Sequence, residues 1–185
     1  MNITVFGSAS PVPGDAAYEE ARRLGELLAR SGHVVLTGGY MGTMEAVSRG
    51  AVEAGGHTIG VTCEQIESWR KAKANPWVRE ERRFETLRDR LYCLIESCDA
   101  ALALSGGVGT LAEIAAMWSQ MQTQSLPARP LILIGKGWQR VFLKLFSEMD
   151  VNIPASHRAL LSFASNIDAA IAMFPKTHVL RSGQV

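Results

Sequence analysis

An α/β fold, a parallel sheet covered by helices on both faces, is the architecture this sequence predicts, and three observations carry the reading. Apolar runs of four to six residues alternate with helical patterns of ten or more, the arrangement of βαβ units. Glycine-rich turns at Gly7, at Gly38 to Gly42 and at Gly106 to Gly109 sit just past three of those runs. Ligands of open parallel sheets bind outside the carboxyl ends of the strands, so the three turns converge on one edge. Finally, 185 residues with 47% hydrophobic and 20% charged side chains suit a single domain over residues 1–180 with a full core, followed by a frayed tail at 181–185.

The elements follow in order. A first strand, Ile3 to Phe6, leads through Gly7-Ser8 to a helix from about Asp15 to Arg30, whose Ala17, Ala21, Leu24, Leu27 and Leu28 form an apolar stripe. Gly32 ends it, and the strand Val34 to Leu36 runs into Thr37-Gly38-Gly39-Tyr40-Met41-Gly42-Thr43 and a second helix to about Ala54. A third strand spans Thr58 to Thr62. From Cys63 to Arg83 no period is legible, and a stretch of this length reads either as a lid over a site or as a solvated detour anchored by Trp69 and Trp77. Helical spacing resumes at about Glu85, with Leu87, Leu91, Leu94 and Ile95 on one face. The strand Ala100 to Leu104, a helix from about Thr110 to Gln122, the strand Pro130 to Ile134 and a helix from Trp138 to about Met149 complete the repeating units. A short strand at Ala159 to Phe163 and a helix at Asn166 to Phe174 close the domain. Right-handed crossovers between parallel strands make this a Rossmann-like sheet.

Composition excludes several classes. A net charge of +1 without a basic run argues against nucleic acid as a partner. The start, Met1 to Phe6, reads as a strand rather than a signal peptide, and no apolar run reaches the length of a membrane span. Cys63, Cys93 and Cys98 lack metal-type spacing, and the four histidines are scattered, so no metal site is expected and a reducing cytoplasm is the default location.

The chemistry is carried by Ser105-Gly106-Gly107-Val108-Gly109-Thr110-Leu111-Ala112-Glu113, an apolar strand feeding a glycine turn that opens a helix. Glycines let a backbone approach an anion, successive N–H groups point at it, and the positive end of the helix dipole adds attraction. Glu113 falls one turn inside. A carboxylate is repelled by phosphate, so it suggests chemistry at the other end of the ligand. Standard signatures are absent. Gly135-Lys136-Gly137-Trp138 lacks the hydroxyl a P-loop needs, and Leu36 is followed by Thr37-Gly38-Gly39 rather than the acid that holds a dinucleotide's ribose. Two Gly-Gly loops, each followed by a Gly-Thr that opens a helix, suggest a mononucleotide or sugar phosphate.

Three stretches together resemble the LONELY GUY (LOG) family: Gly38-Gly39-Tyr40-Met41-Gly42-Thr43-Met44, Leu87-Arg88-Asp89-Arg90-Leu91 and Gly106 to Glu113. The resemblance covers Ile3 to about Phe146. The family's Pro-Gly-Gly-x-Gly-Thr-x-x-Glu signature is matched except that Ser105 replaces proline. Its Met-His-x-Arg-Lys signature is matched only at Arg90, with Leu87, Arg88 and Leu91 in place of methionine, histidine and lysine. The family is catalogued as "possible lysine decarboxylase" and better described as cytokinin riboside monophosphate phosphoribohydrolases. None of the five lysines falls in the three glycine loops at Gly7, Gly38 to Gly42 and Gly106 to Gly109, which leaves a decarboxylase without its Schiff base. The segment from Gly38 to Ala51 also looks like a sister group of molybdenum-cofactor carriers, which bind and do not hydrolyse.

The resemblance implies hydrolysis of the N-glycosidic bond of a nucleoside 5′-monophosphate, AMP or a cytokinin-type adenine nucleotide, with no cofactor. Glu113 and Arg90 are then the catalytic pair, Arg90 keeping the acid ionised and oriented. Gly106, Gly107, Val108, Gly109 and Thr110, including the Thr110 hydroxyl, are assigned to the phosphate. Gly7, Ser8, Gly38, Gly39, Gly42, Thr43 and Arg88 are assigned to the base and ribose. Structural readings compete with these roles. Arg90 could pair with Glu85 or Asp89 in solvent, Glu113 could serve as a capping acid, and Arg88 could replace the histidine or simply face water. Glu45, the counterpart of Glu113, is read as structural, and Met117, Trp118 and Met121 as packing, either internal or at a subunit boundary. The family also implies a homodimer, with the helices near Glu85 to Ser97 and Thr110 to Gln122 at or beside its interface.

Overall fold

Alternate strand residues face opposite sides of a sheet, and here both sides are apolar. The computed structural model describes residues 1–174; the tail expected at 181–185 lies outside the described residues. Its elements are β1 (Asn2–Phe6), α1 (Ala16–Arg30), β2 (Val34–Thr37), α2 (Thr43–Glu53), β3 (Thr58–Cys63), α3 (Glu64–Arg70), β4 (Glu80–Phe84), α4 (Leu87–Glu96), β5 (Ala100–Ala103), α5 (Val108–Gln122), β6 (Leu131–Ile134), α6 (Lys136–Glu148), α7 (Ala155–Arg158), β7 (Ser162–Ala164) and α8 (Ile167–Ala172). Val5 and Leu102 join Leu24, Leu28, Val47 and Ile167 in a layer under α1, α2 and α8. Phe6 and Ala103 join Leu94, Ile114, Met117 and Phe142 in a second layer under α4, α5 and α6.

All six pairings are parallel, in the order β4-β3-β2-β1-β5-β6-β7. Ile3 of β1 lies opposite Val35 on one side and Ala100 on the other. The chain winds outward from β1 to β4, then crosses back to place β5 against β1. The switch point between β1 and β5 opens a crevice at their carboxyl ends, where the first and third glycine turns lie. Helices α1 and α2 pack unusually close. A Cβ at Gly25 would overlap the Val47 carbonyl, and one at Gly50 would overlap that of Arg22, so each helix needs a residue without a side chain where the other crosses.

Four departures from the sequence reading have physical reasons. The stretch Cys63 to Arg83 holds α3 and an edge strand, β4, whose four consecutive charged residues protect the sheet edge and erase the apolar signature of a strand. Of its two tryptophans, Trp77 is half-buried beneath the Arg49 guanidinium, whereas Trp69 is 73% exposed and anchors nothing. The last strand is Ser162–Ala164, preceded by α7, rather than Ala159 to Phe163. Helix α5 starts at Val108, two residues early, which brings the glycine turn into its first turn. Among the described residues no helix is long and apolar enough to cross a membrane.

Candidate active site

A cleft of about 600 Å³ lies over the carboxyl ends of β1 and β5, within the usual size of small-molecule sites. Its floor is Gly7 to Ser10, one wall is the start of α5, and the others come from Tyr40 and Met44, from α3, and from Leu87, Arg90 and Leu91 of α4. A more open hollow between α3 and β4 is lined by charges that largely pair among themselves, Arg83 with Glu67 at 2.7 Å and with Glu64 at 3.5 Å.

The start of α5 is unfilled. Gly107 occupies its N-cap position and no side chain caps it, and there is no acid in the first turn. The first amides of a helix have no intrahelical acceptor, so those of Val108, Gly109 and Thr110 remain available to a ligand. Side chains at Gly107 or Gly109 would meet no protein atom within 4 Å, because the space beside them is the cleft. Gly106 does not line the cleft; a Cβ there would overlap the Thr110 hydroxyl.

That hydroxyl is already committed, contrary to the phosphate role assigned to it. Thr110 Oγ1 donates to the Gly7 carbonyl at 2.9 Å, and Thr43 Oγ1 donates to the neighbouring Ser8 carbonyl at 3.1 Å. The two Gly-Thr threonines therefore clamp the loop after β1 from both sides. Gly38, Gly39, Gly42 and Thr43, expected to line the ribose side, lie behind the cleft wall instead. Gly42, at φ 75°, packs under Ser8 and Ala9, and Gly39, at φ 77°, sits against Thr62 and Gly60. Gly38 has no room for a side chain because the Arg90 guanidinium and the Met44 sulfur occupy it.

Arg90 is 5% exposed and projects from the second turn of α4, a helix started by Thr86, whose Oγ1 accepts from the Asp89 N–H at 3.1 Å. Its Nε donates to the Val61 carbonyl at 2.7 Å and its Nη2 to the Gly38 carbonyl at 3.1 Å. The guanidinium also lies 5.7 Å from the Tyr40 ring centroid, and the Tyr40 hydroxyl is fixed by the backbone of Cys63. Nη1 alone faces Glu113, at 3.9 Å, an ion pair too long to be a hydrogen bond. The solvent pairing considered for Arg90 is not formed; Asp89 pairs with Thr86 and Arg88 instead.

Burial of Glu113 raises its carboxyl from the usual range to about 7, the nearby Arg90 pulling the other way without prevailing. Arg90 thus favours the ionised form of this acid without fully offsetting its burial. With two of its nitrogens spent on carbonyls and the third at 3.9 Å, Arg90 offsets only part of the desolvation.

Leu87, Arg90 and Leu91 share the cleft-facing side of α4 at i, i+3 and i+4, and Arg88, one step around, has a side chain 77% exposed and bonded to Asp89. It does not stand in the cleft for the missing histidine. Met117 and Met121 are buried within the chain, and Trp118 packs on Phe142 and Phe146 while its indole N–H donates to the His157 carbonyl, so their packing is internal. The sequence reading assigned no role to Tyr40, Met44, Gln65, Ile66, Trp69 or Arg70 in the cleft. For Ile66, Trp69 and Arg70, their i, i+3, i+4 spacing was the available signal.

Residues 1–126 match the model of the SLOG cluster4 family. The chain is 30% identical over 142 residues to an uncharacterized protein of Archaeoglobus fulgidus, covering 77% of this chain and 87% of that protein. It is 34% identical over 160 residues to a probable cytokinin riboside 5′-monophosphate phosphoribohydrolase of Oryza sativa subsp. japonica, covering 84% of this chain and 66% of the rice protein. Among solved structures, the molybdenum cofactor binding protein from Rippkaea orientalis is similar with a TM-score of 0.71 and 27% identity, over 92% of this chain and 93% of that one. With a match that spans the loops from which the cleft is built, this chain belongs to the SLOG cluster4 family, and its named relatives support the LONELY GUY resemblance.

Proposed function

We propose that the cleft hydrolyses the N-glycosidic bond of a nucleoside 5′-monophosphate, AMP or a cytokinin-type adenine nucleotide, to free base and ribose 5-phosphate. The single observation that carries this reading is the pairing, at 3.9 Å, of buried Arg90 with Glu113, which stands one turn inside a helix whose first amides open into the same cleft. The relatives named as phosphoribohydrolases support it. In this mechanism the amides of Val108, Gly109 and Thr110 hold the 5′-phosphate, which sets the anomeric carbon over Glu113. As the bond from C1′ to the base breaks, its electron pair leaves with the base and positive charge grows on the sugar, where ionised Glu113 stabilises it. Water bonds to C1′, Glu113 accepts a proton from it and gives that proton up to the nitrogen of the departing base, so that the base leaves neutral and Glu113 ends ionised. An acid near neutrality suits a group that both takes and returns a proton.

The test is release of adenine from AMP by the purified protein and its loss in Glu113→Gln and Arg90→Ala. The similarity to a molybdenum cofactor binding protein and the leucines at 87 and 91 favour a second reading, a carrier of a nucleotide or pterin. Tight binding without turnover in the parent decides for it. The family's homodimer is proposed as well, through the exposed Leu87, Tyr92 and Leu111 of α4 and α5; a monomeric mass in sedimentation equilibrium overturns it.

A further inference from the structure

Helix α3 is fixed to the protein on either side of one residue. The Arg83 guanidinium bonds Glu67 at 2.7 Å, and the Gln65 side-chain oxygen accepts from the Leu87 N–H at 2.8 Å. Ile66 packs on Tyr40, Met44 and Ala72. After the helix Lys71 turns the chain with a left-handed φ of 50°, and Ala72 is buried again.

Trp69 lies between these anchors, lines the cleft on the same helix face as Ile66 and Arg70, and is nevertheless 73% exposed. Trp138, by comparison, is 9% exposed and its indole N–H donates to the Leu104 carbonyl. Leaving a tryptophan ring in water at the rim of an apolar cleft forfeits the largest burial any side chain offers, on a helix that is otherwise held in place. One face of the ring is taken: the Arg70 guanidinium sits 4.6 Å from its centroid. The other face is free for a flat partner. Proteins commonly hold nucleobases on such a surface, because every base has a π face and needs no matched hydrogen bonds to stack.

We infer that Trp69, backed by Arg70, is the stacking platform for a planar heteroaromatic base and sets the preference of the cleft for aromatic over non-aromatic phosphates. The inference rests on reading the start of α5 as the phosphate end of the site. Adenine and a pterin share the required chemistry. Binding of AMP, a 6-hydroxymethylpterin phosphate ester and ribose 5-phosphate is measured by calorimetry on the full chain, Trp69→Ala and Trp69→Phe. Trp69→Ala is expected to weaken at least one aromatic phosphate by roughly tenfold or more, with Trp69→Phe within about threefold of the parent. Ribose 5-phosphate should bind all three proteins alike, and the aromatic ligand that suffers identifies the source. Equal binding of both aromatic phosphates to parent and Trp69→Ala overturns the inference. So does an equal loss of ribose 5-phosphate, and so does a parent that binds neither aromatic phosphate. Adenine release separates this from the hydrolase reading. AMP bound through Trp69 but not cleaved ends only the hydrolase, while cleavage with an unchanged KM in Trp69→Ala ends only the stacking role.

Discussion

Two loops of this protein share a pattern, Gly-Gly-x-(x)-Gly-Thr with a glutamate soon after, Glu45 two residues past Thr43 and Glu113 three past Thr110, and they are built differently. At the start of α2 the Thr43 N–H is bonded to the Ser8 carbonyl at 2.8 Å, Gly42 is wedged beneath Ala9, and Glu45 accepts from the buried Tyr18 hydroxyl at 3.1 Å. At the start of α5 the amides are uncapped, Gly107 and Gly109 border empty space, and Glu113, half-buried at the cleft, stands opposite Arg90 without a hydrogen bond. The difference comes from position in the sheet. α5 follows β5 at the switch point, whereas α2 follows β2 one strand away, where the chain after β1 lies across it. A glycine loop becomes a ligand site only where no other backbone fills it.

The contrast can be broken at Glu113 and Arg90 first. Glu113→Gln or Arg90→Ala is expected to lower kcat for adenine release by about 10²- to 10⁴-fold. Glu45→Gln should leave kcat near the parent's. A loss as large from Glu45→Gln would mean that the two loops act alike.

Next is pH. A carboxyl raised to about 7 in the folded protein, from about 4.5 unfolded, binds its proton more tightly when folded. Stability from this group is therefore full below about 4.5 and falls as pH rises through about 7, by up to about 3 kcal/mol. Urea unfolding across this range should show that slope in the parent and not in Glu113→Gln. If ionised Glu113 is the working form, kcat should rise with pH through about 7, opposite to stability.

Glycine substitutions sharpen the comparison further. Gly42→Ala puts a Cβ into the Ser8 carbonyl at φ 75° and should cost about 2–3 kcal/mol, seen as a Tm lower by several degrees. Gly107→Ala meets no protein atom, so Tm should hold within about a degree while KM for AMP rises. Arg88→Ala should do least. Its exposed pairing with Asp89 contributes at most about 1 kcal/mol, and neither kcat nor KM should move.

Much of this was legible before any coordinates. Alternating apolar runs placed the buried strands and the helices with clear stripes, and the Gly-Gly-x-Gly-Thr pattern marked the loop before α5. Strand β4 escaped because Glu80, Glu81, Arg82 and Arg83 carry no apolar alternation, as an edge strand does not need it. The Thr110 hydroxyl was not legible because a hydroxyl next to an anion cradle looks the same in sequence whether it faces the anion or the carbonyl of Gly7.

By itself, the amino-acid order determined the α/β class, the core stripes and the loops able to approach an anion, because periodicity and glycine placement are local properties of the chain. Only the tertiary structure decided which of two like loops is vacant, that Arg90 is spent largely on the carbonyls of Val61 and Gly38, and that Glu113 is held near neutrality. Those outcomes depend on what distant segments place beside a group and how much water they remove from it.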